Sequence, residues 1–225
     1  MNATTFVSGS PIAANALNSC VSKEQFVLLK LNQAVALVLL FLLSPLLLAI
    51  AFLIWRRDGA PILYGHYRVG RGGKLFRCFK YRTMLRDSDS VLADLLRDDP
   101  KSLVEWETNQ KLPNDPRITP VGRYLRSSSL DELPQLLNVV RGEMLLVGPR
   151  PVTVAELTRY GKVRWHYLSV HPGITGLWQV SGRNNTTYEE RVALDASYVE
   201  NRSLLNDVSI LLRTILVVIR KEGAR

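Results

Sequence analysis

The sequence predicts an α+β protein that a long apolar segment attaches to a membrane and that carries one small domain of helices and short β-hairpins. The first observation is an uncharged apolar run over residues 34–55, near the N-terminus. The second is a pair of strand-like runs around a glycine-rich turn, followed by segments whose apolar residues have helical spacing. The third is length, because residues 56–225 suffice for one ordinary domain.

The apolar run is long enough to cross a bilayer as one straight helix. Its 22 residues would extend about 33 Å, against a hydrocarbon core of about 30 Å. Ser44 and Pro45 lie at its midpoint, and proline removes a backbone donor and clashes with the preceding turn, so we expect a kink at Ser44. Each half alone would reach only about half the bilayer. Two topologies remain open: a kinked span, and a re-entrant hairpin that enters and leaves on one face.

Two other interpretations of the run are weaker. A cleaved secretory signal would need a leader far longer than the usual length of about 15–30 residues. A buried helix of a soluble core is more plausible than a signal, because shorter apolar runs often have that role. The length of this run favours a membrane segment over both.

The net charge of +9 is concentrated directly after the apolar run. Residues 56–86 contain nine lysines and arginines against one acidic residue, Asp58. The positive-inside rule places this side in the cytoplasm, and a basic segment beside a membrane attracts anionic lipid. Nucleic acid would attract it too, but the adjacent membrane makes lipid or an anionic substrate the simpler partner, so we expect no nucleic acid. Cys20 and Cys78 are too few for a disulfide framework, and we expect reduced thiols.

The first elements of the domain follow from local patterns. Residues 1–22, poor in charge and rich in Ser, Asn and Ala, predict a flexible tail. The runs 62–69 and 75–82 flank a turn containing three glycines, which predicts a β-hairpin with positive φ in the turn. A phosphate-cradling glycine loop is the alternative, but such loops are followed by a helix. Residues 87–107 predict an acidic amphipathic helix or helix pair on the surface, interrupted by Pro100.

The second half of the domain alternates helices with short apolar runs. A helix is predicted to begin near Ser129, followed by a strand over residues 144–147. Residues 173–183 predict a second hairpin, because glycines punctuate an apolar run. Two helices, over residues 188–201 and 206–221, close the chain. The last has one apolar stripe, and packing on the core and lying in the membrane interface both remain open.

Two adjacent carboxylates, Asp131 and Glu132, are the clearest candidates for chemistry. They follow three serines at a predicted helix start, where Ser129 and Glu132 have the spacing of a capping box. On spacing alone this structural role is favoured. The functional alternative is that the helix end attracts a phosphate, that one carboxylate holds Mg²⁺ together with substrate phosphates, and that the other is a nucleophile on phosphorus.

Arginines accompany this motif. Arg123 and Arg126 precede it, and Arg150 lies between Pro149 and Pro151. A guanidinium binds phosphate oxygens in a bidentate manner, and the flanking prolines restrict the backbone that presents Arg150. Each arginine alone is most often a surface residue, but several together would suit a diphosphate.

At this point the chain resembles the bacterial sugar transferases, the monotopic polyprenyl-phosphate phosphoglycosyl transferases. The resemblance runs from about Lys30 to the C-terminus. Within the N-terminal segment one departure stands out, because Asn32 lies where the family often has an acidic residue. The long and specific motifs that carry the resemblance are Arg68-x-Gly70, Lys80-Tyr81-Arg82-Thr83-Met84, Asp115-Pro116-Arg117-Ile118-Thr119, Ser129-Leu130-Asp131-Glu132-Leu133-Pro134-Gln135, Gly148-Pro149-Arg150-Pro151, Pro172-Gly173-Ile174-Thr175-Gly176, Trp178-Gln179-Val180-Ser181-Gly182-Arg183-Asn184 and Arg220-Lys221-Glu222-Gly223.

The resemblance implies a fold and a location. It implies a monotopic membrane protein whose re-entrant helix is broken at Ser44 and Pro45, on the cytoplasmic face of the bacterial inner membrane. The expected organisation is a flexible tail over residues 1–29, a membrane helix hairpin over residues 30–55 and a small cytoplasmic catalytic domain over residues 56–225. A homodimer is a further expectation.

The resemblance also implies an activity. Hexose 1-phosphate, from UDP-galactose or UDP-glucose, would pass to undecaprenyl phosphate through an aspartyl intermediate on Asp131, with UMP as by-product and Glu132 as the Mg²⁺-associated acid. The motifs imply a substrate-binding set of Lys80, Arg82, Arg126, Pro149, Arg150 and Arg183. A non-catalytic module that binds anionic lipid and a polyprenyl-phosphate phosphatase are the alternative functions.

Overall fold

The computed structural model describes residues 23–109, 112, 114–182 and 186–220. In these residues two small sheets, each of two strands, are surrounded by helices. The α-helices are α1 (Lys23–Asp58), α2 (Ser88–Asp98), α3 (Pro100–Asn109), α4 (Pro120–Ser127), α5 (Leu136–Val140), α6 (Val154–Thr158), α7 (Arg164–Ser169), α8 (Leu177–Val180), α9 (Tyr188–Glu200) and α10 (Leu204–Arg220). The strands are β1 (Leu63–Val69), β2 (Leu75–Tyr81), β3 (Leu145–Val147) and β4 (Gly173–Thr175), and short 3-10 segments occupy Arg71–Gly73, Leu130–Gln135 and Gly161–Val163. The predicted mixture of helices and strands is confirmed.

Helix α1 continues through the Ser-Pro pair that the sequence predicts to break it. Proline has no N–H to donate to the carbonyl four residues earlier, which here belongs to Phe41. The Ser44 hydroxyl donates to that carbonyl instead, at 2.7 Å. The orphaned acceptor is therefore satisfied, and the helix is assigned without interruption from Lys23 to Asp58. It begins before the predicted boundary at residue 30, so residues 23–29 are helical rather than part of a tail.

One side of α1 packs on the domain and the other is exposed. Ala36 is fully buried in a cluster with Phe76, Cys78, Leu136, Val139 and Met144, and farther along α1 Ile50 and Ile54 are buried with Tyr81, Val121 and Leu125. On the opposite side large apolar side chains are bare, and Phe41 is 79% exposed. Among the described residues α1 is the one helix long and apolar enough to cross a membrane. Its bare side is typical of a surface that contacts lipid.

Polar contacts fasten α1 to the same domain at two places along its length. Within its first third, the Gln33 amide donates to the carbonyl of Val140 at 2.8 Å, and the Asn32 side-chain oxygen accepts from the Leu146 N–H at 2.9 Å. Near its end, the Arg82 guanidinium donates to the carbonyls of Asp58 and Gly59, at 2.7 and 2.8 Å. The domain therefore lies along the helix rather than beyond one end of it.

The predicted first hairpin is confirmed. Strands β1 and β2 pair antiparallel, with Leu63 opposite Tyr81 and Val69 opposite Leu75. The turn needs glycine, since Gly72 and Gly73 have φ of 65° and 81°. The predicted acidic helix pair is confirmed as α2 and α3, with Pro100 as the first residue of α3.

The predicted second hairpin over residues 173–183 is wrong. Strand β4 pairs in parallel with β3, and the chain then enters α8 at Leu177. The glycines at its start allow close approach of two strands rather than a turn. A side chain at Gly173 would collide with the backbone of Gly148, whose N–H donates to the Thr175 carbonyl at 2.9 Å.

Asn138 joins α5 to the edge of β2. Its side-chain oxygen accepts from the Phe79 N–H at 3.0 Å, and its amide donates to the Arg77 carbonyl at 2.7 Å and to the Glu143 carboxylate at 2.6 Å. Asn138 is fully buried. One side chain thus satisfies two backbone groups that the two-stranded sheet leaves unpaired.

We expect Asn138→Ala to destabilise the fold by about 2–4 kcal/mol, because buried backbone donors and acceptors would lose their partners. Thermal unfolding in detergent measures the effect. Asn201→Ala is the matched control: Asn201 is exposed, and its amide donates to the Ser197 carbonyl. Equal melting temperatures for the two variants would contradict the structural role given to Asn138.

Candidate active site

An unusual backbone turn presents the two adjacent carboxylates. Ser129 has φ of 57°, and among the described residues it is the single non-glycine residue with positive φ. Its side chain makes no capping hydrogen bond, so the predicted capping box is wrong. Asp131 and Glu132 lie in the following 3-10 segment, and α5 begins only at Leu136. A residue held in such a backbone conformation lowers the stability of the fold by about 1–3 kcal/mol, and such residues are typical of functional sites.

Asp131 is buried with a carboxyl group of altered acidity. It is 8% exposed. Burial raises the pKa of Asp131 to about 6; Lys80 opposes this rise and the neighbouring Glu132 adds to it. The carboxylate is therefore mostly ionised at neutral pH and more basic than an ordinary aspartate. Such a group is suited to attack an electrophilic phosphorus.

Glu132 lies in a pocket dominated by cations. The Lys80 ammonium is 2.6 Å from a Glu132 carboxylate oxygen, and the Arg150 guanidinium is 3.5 Å from the same oxygen. The pocket is lined by Arg68, Cys78, Lys80, Glu132, Gln135, Arg150, Pro151 and Ile174. Three cationic side chains and one carboxylate give the pocket a net positive charge. It is therefore suited to a phosphate-bearing ligand.

The proline-flanked arginine is held by its backbone and by an aromatic ring. Pro149 is fully buried, and its carbonyl accepts from the Gly173 N–H at 2.8 Å, which ties the loop to β4. The guanidinium of Arg150 lies 5.7 Å from the ring centre of Trp178, and that of Arg191 lies 4.7 Å from the same centre. Pro149 thus positions Arg150 rather than lining the pocket.

Asp131 and Pro149 are not among the residues that line this pocket, and two predicted arginines are also absent from the lining. Arg82 is buried and caps the end of α1, so its position is that of a structural residue. Arg126 donates to the Thr83 hydroxyl at 2.8 Å. Burial lowers the pKa of Arg126, and the charge of Asp131 counters this, so Arg126 acts on Asp131 electrostatically. Arg183 lies outside the described residues, and Arg123 is exposed.

The structure adds site residues that the sequence reasoning did not select. Arg68 lines the pocket and bonds the Glu156 carboxylate at 2.8 Å. Arg68, Cys78 and Lys80 belong to the first hairpin, where side chains alternate between faces. The spacing of two residues between Cys78 and Lys80 indicates that both side chains lie on one face of the strand. No local sequence pattern predicts the contact of Trp178 with Arg150, because that contact depends on the chain returning through β4.

The described part of the chain offers few side chains to a Mg²⁺ ion. Among the residues described, no group of three or more His, Cys, Asp or Glu side chains could enclose a metal ion. Mg²⁺ commonly uses one or two carboxylates and takes its other ligands from water and substrate phosphates. Glu132 lines the pocket and could supply one carboxylate ligand in that mode. Glu132 would give up part of its contact with Lys80.

The chain is similar to one known protein family over most of its length. The profile of the bacterial sugar transferase family matches residues 24–221. The UDP-galactose-lipid carrier transferase of Erwinia amylovora is 55% identical over 84% of this chain and 39% of its own length. The undecaprenyl-phosphate galactose phosphotransferase of Salmonella typhimurium is 52% identical over 84% of this chain and 40% of its own length. The chain thus spans about two fifths of these two relatives.

A third relative is similar to this chain over most of both lengths. The exopolysaccharide production protein ExoY of Sinorhizobium fredii is 48% identical over 91% of this chain and 88% of its own length. The family profile covers α1 and both carboxylates. The sequence identities to these three relatives are far higher than those of proteins that share only a fold. The chain belongs to the bacterial sugar transferase family.

Proposed function

We propose that the protein is a phosphoglycosyl transferase that moves hexose 1-phosphate from a UDP-hexose to undecaprenyl phosphate. The observation that carries this proposal is the buried Asp131 carboxylate, with its raised pKa, beside a pocket of three cations. The names of two relatives specify galactose, so UDP-galactose comes first among the donors and UDP-glucose second. The product, undecaprenyl-diphospho-hexose, would begin the assembly of an exopolysaccharide, capsule or O-antigen.

The proposed reaction has two displacements at one phosphorus atom. A carboxylate oxygen of Asp131 bonds to the β-phosphorus of the UDP-hexose while the bond from that phosphorus to the bridging oxygen breaks. UMP leaves with the electron pair, and an aspartyl phospho-hexose remains on the enzyme. A phosphate oxygen of undecaprenyl phosphate then attacks the same phosphorus and restores the free carboxylate of Asp131. Splitting the transfer in two separates a soluble donor from a lipid acceptor.

The cations of the pocket have a clear task in this scheme. Charge accumulates on the oxygens of the transferring group, and stabilising it is the main demand of phosphoryl transfer. Lys80, Arg150 and Arg68 line the pocket and are placed to bind those oxygens. Mg²⁺, held by Glu132 with Asp131 nearby, would supply further neutralisation of the diphosphate when bound. Glu132 would also keep Lys80 and Arg150 in place before substrate arrives.

One side chain, that of Cys78, lies between α1 and the pocket. Cys78 packs in the buried cluster that contains Ala36 of α1, and it also lines the pocket. The pocket therefore lies one side chain away from the helix whose outer face is bare and apolar. A phosphate on a lipid that lies along α1 would therefore lie near the pocket.

The packing of α1 also supports a monotopic attachment. The contact of Arg71 with Gln25 and that of Arg82 with Asp58 bind both ends of the helix to one domain. A helix that crossed the bilayer would draw its start, and the domain bound there, to the other side. We therefore propose that α1 enters and leaves on the cytoplasmic face of the inner membrane, and the basic flank after residue 55 supports that side.

We expect Asp131→Asn to reduce transfer by roughly a thousandfold or more, because an amide is a poor nucleophile. The assay follows UMP release and labelled lipid product from UDP-galactose and undecaprenyl phosphate. Asp98→Asn, an exposed aspartate of α2, is the matched control and should retain activity. Transfer by the Asp131 variant at the control rate would refute the assignment. Free inorganic phosphate without lipid-linked sugar would instead indicate a phosphatase.

We expect the first half-reaction to follow the ionisation of Asp131. With a pKa of about 6, the nucleophilic carboxylate is lost as pH falls from 7 to 5, so the rate should fall over the same interval. Lys80 lowers the pKa of Asp131. Lys80→Met should therefore move the midpoint of the pH profile to higher pH, besides slowing the reaction. Lys74→Met, at an exposed lysine of the same hairpin, should leave the midpoint in place, and an unmoved midpoint in Lys80→Met would contradict the electrostatic coupling.

The topology can be tested with the natural thiol that precedes α1. If both ends of α1 face the cytoplasm, a membrane-impermeant maleimide added to intact spheroplasts should leave Cys20 unlabelled and should label it in inverted vesicles. Ser90→Cys, an exposed position in α2, provides the cytoplasmic reference. Labelling of Cys20 from outside, with the reference position protected, would establish a spanning helix instead.

A further inference from the structure

Two helices in the described part of the chain begin with the same capping motif. Helix α6 begins with a capping box of Thr153 and Glu156, and α9 begins with one of Thr187 and Glu190. In each box the glutamate carboxylate accepts from the backbone N–H of the threonine at 2.7 Å. The two boxes therefore have the same local geometry, and they differ in what else the carboxylate contacts.

The Glu156 carboxylate has a second partner, 88 residues away in the chain. The oxygen Oε2 that caps α6 also accepts from Nη1 of Arg68 at 2.8 Å. Arg68 lines the pocket together with Lys80 and Arg150. Glu190 is exposed and does not belong to the pocket lining. One capping box therefore holds a cation of the pocket, and the other shows what the cap does alone.

The backbone around this ion pair is fixed on both sides. The N–H of Val69, next to the arginine, donates to the Val152 carbonyl at 2.8 Å. The hydroxyl of the buried Tyr167 donates to the Val69 carbonyl at 2.6 Å and accepts from the Val152 N–H at 3.2 Å. The Tyr188 hydroxyl donates to the backbone carbonyl of Glu156 at 2.9 Å. The carboxylate is therefore presented to the arginine from a rigid frame.

The Glu156 carboxyl group is ionised at neutral pH. Burial alone would raise its pKa, but the hydrogen bond from the Thr153 N–H and the charges of Arg68 and Arg150 hold the pKa of Glu156 below its usual value. A charge-assisted N–H···O bond of this length is among the stronger hydrogen bonds in proteins. It orders the Arg68 guanidinium and leaves other N–H groups of the same guanidinium for a ligand.

Ordering the arginine before a ligand arrives has an advantage and a drawback. A mobile arginine side chain loses much rotamer freedom when it binds phosphate, and an ordered one has already lost it. The drawback is that the carboxylate offsets part of the positive charge of the pocket. The Arg68 side chain is 22% exposed and that of Glu156 is 42% exposed, so solvent screens this offset. The gain from ordering is therefore the larger effect.

We propose that Glu156 is a positioning residue that holds the Arg68 guanidinium in the pocket, ready to bind phosphate oxygens of the UDP-hexose. Glu156 acts through Arg68 and does not itself contact the substrate. The proposal deepens the proposed function and rests on it for the identity of the ligand. It gives a capping carboxylate a second task, which the matching carboxylate of α9 does not share.

The test compares Glu156→Ala with Glu190→Ala, because each variant removes the carboxylate of one capping box. We expect Glu156→Ala to lower kcat/KM for UDP-galactose by about tenfold, because a misplaced binding group forfeits orientation, and Glu190→Ala to change it by less than about twofold. Glu156→Gln keeps an oxygen that accepts from the Thr153 N–H and from Arg68, so α6 stays capped. This variant should lose only about threefold, because its bond to the guanidinium lacks one of the two charges.

A double-mutant cycle identifies the residue through which Glu156 acts. Adding Glu156→Ala or Glu156→Gln to Arg68→Ala should cause no further loss of kcat/KM, because the arginine that Glu156 orders is already gone. The same cycle is measured by calorimetry as the affinity for pyrophosphate, which needs neither turnover nor a nucleotide. If the wild-type enzyme transferred no hexose phosphate while this cycle kept its coupling, the proposed function would fail and the role of Glu156 would stand.

Three outcomes would overturn the inference. Equal kinetics of Glu156→Ala and Glu190→Ala would mean that the Glu156 carboxylate only caps α6. Losses that add in the double variant, with either substitution of Glu156, would mean that Glu156 acts independently of Arg68. Tighter binding of pyrophosphate to Glu156→Ala than to the wild-type enzyme would mean that Glu156 competes with the ligand for the arginine.

Discussion

Strand β2 is the element on which both the membrane helix and the candidate active site depend. Phe76, Cys78 and Lys80 lie on one face of this strand. Phe76 and Cys78 pack against α1, whereas Cys78 and Lys80 line the pocket. Asn138 satisfies the outer edge of the same strand. A strand that moved would therefore alter anchor and pocket together. This coupling explains how a small domain keeps a charged site at a fixed distance from an apolar helix.

The site separates the properties of two adjacent carboxylates. Asp131 is desolvated, which raises its pKa, while Glu132 points into the pocket and pairs with Lys80. The turn at Ser129 makes this division possible, because its positive φ redirects the chain before a helix forms. If an α-helix began at Ser129 with a regular capping box, the Glu132 carboxylate would accept a hydrogen bond from the Ser129 backbone N–H. The strain at Ser129 thus frees the second carboxylate for the cations.

The sequence predicted those features of the structure that depend on residues close together in the chain. The first hairpin was predictable because glycines with positive φ lie between two strand-like runs, and the sequence motifs alone were enough to select Asp131, Glu132 and Arg150 as candidates. The parallel pairing of β3 and β4 was missed because its glycines serve close strand approach rather than turns. The contact of Arg82 with the end of α1 was not predictable, because a motif cannot distinguish an arginine that binds phosphate from one that caps a helix. Both the strand pairing and the Arg82 contact join partners that are distant in sequence.

If the proposed function is right, the contact of α1 with lipid would set the orientation of the site as well as its location. A helix that met lipid equally well on every side would leave the attached domain free to rotate about the helix axis, and that rotation would raise or lower the pocket relative to the headgroups. Buried clusters around Ala36 and Ile54 cover one side of α1, so only its bare apolar side can meet lipid. Because a lipid phosphate would lie at a fixed depth, a fixed rotation would keep Asp131 within reach of it. On this argument the packing of α1 on the domain would contribute to catalysis through orientation.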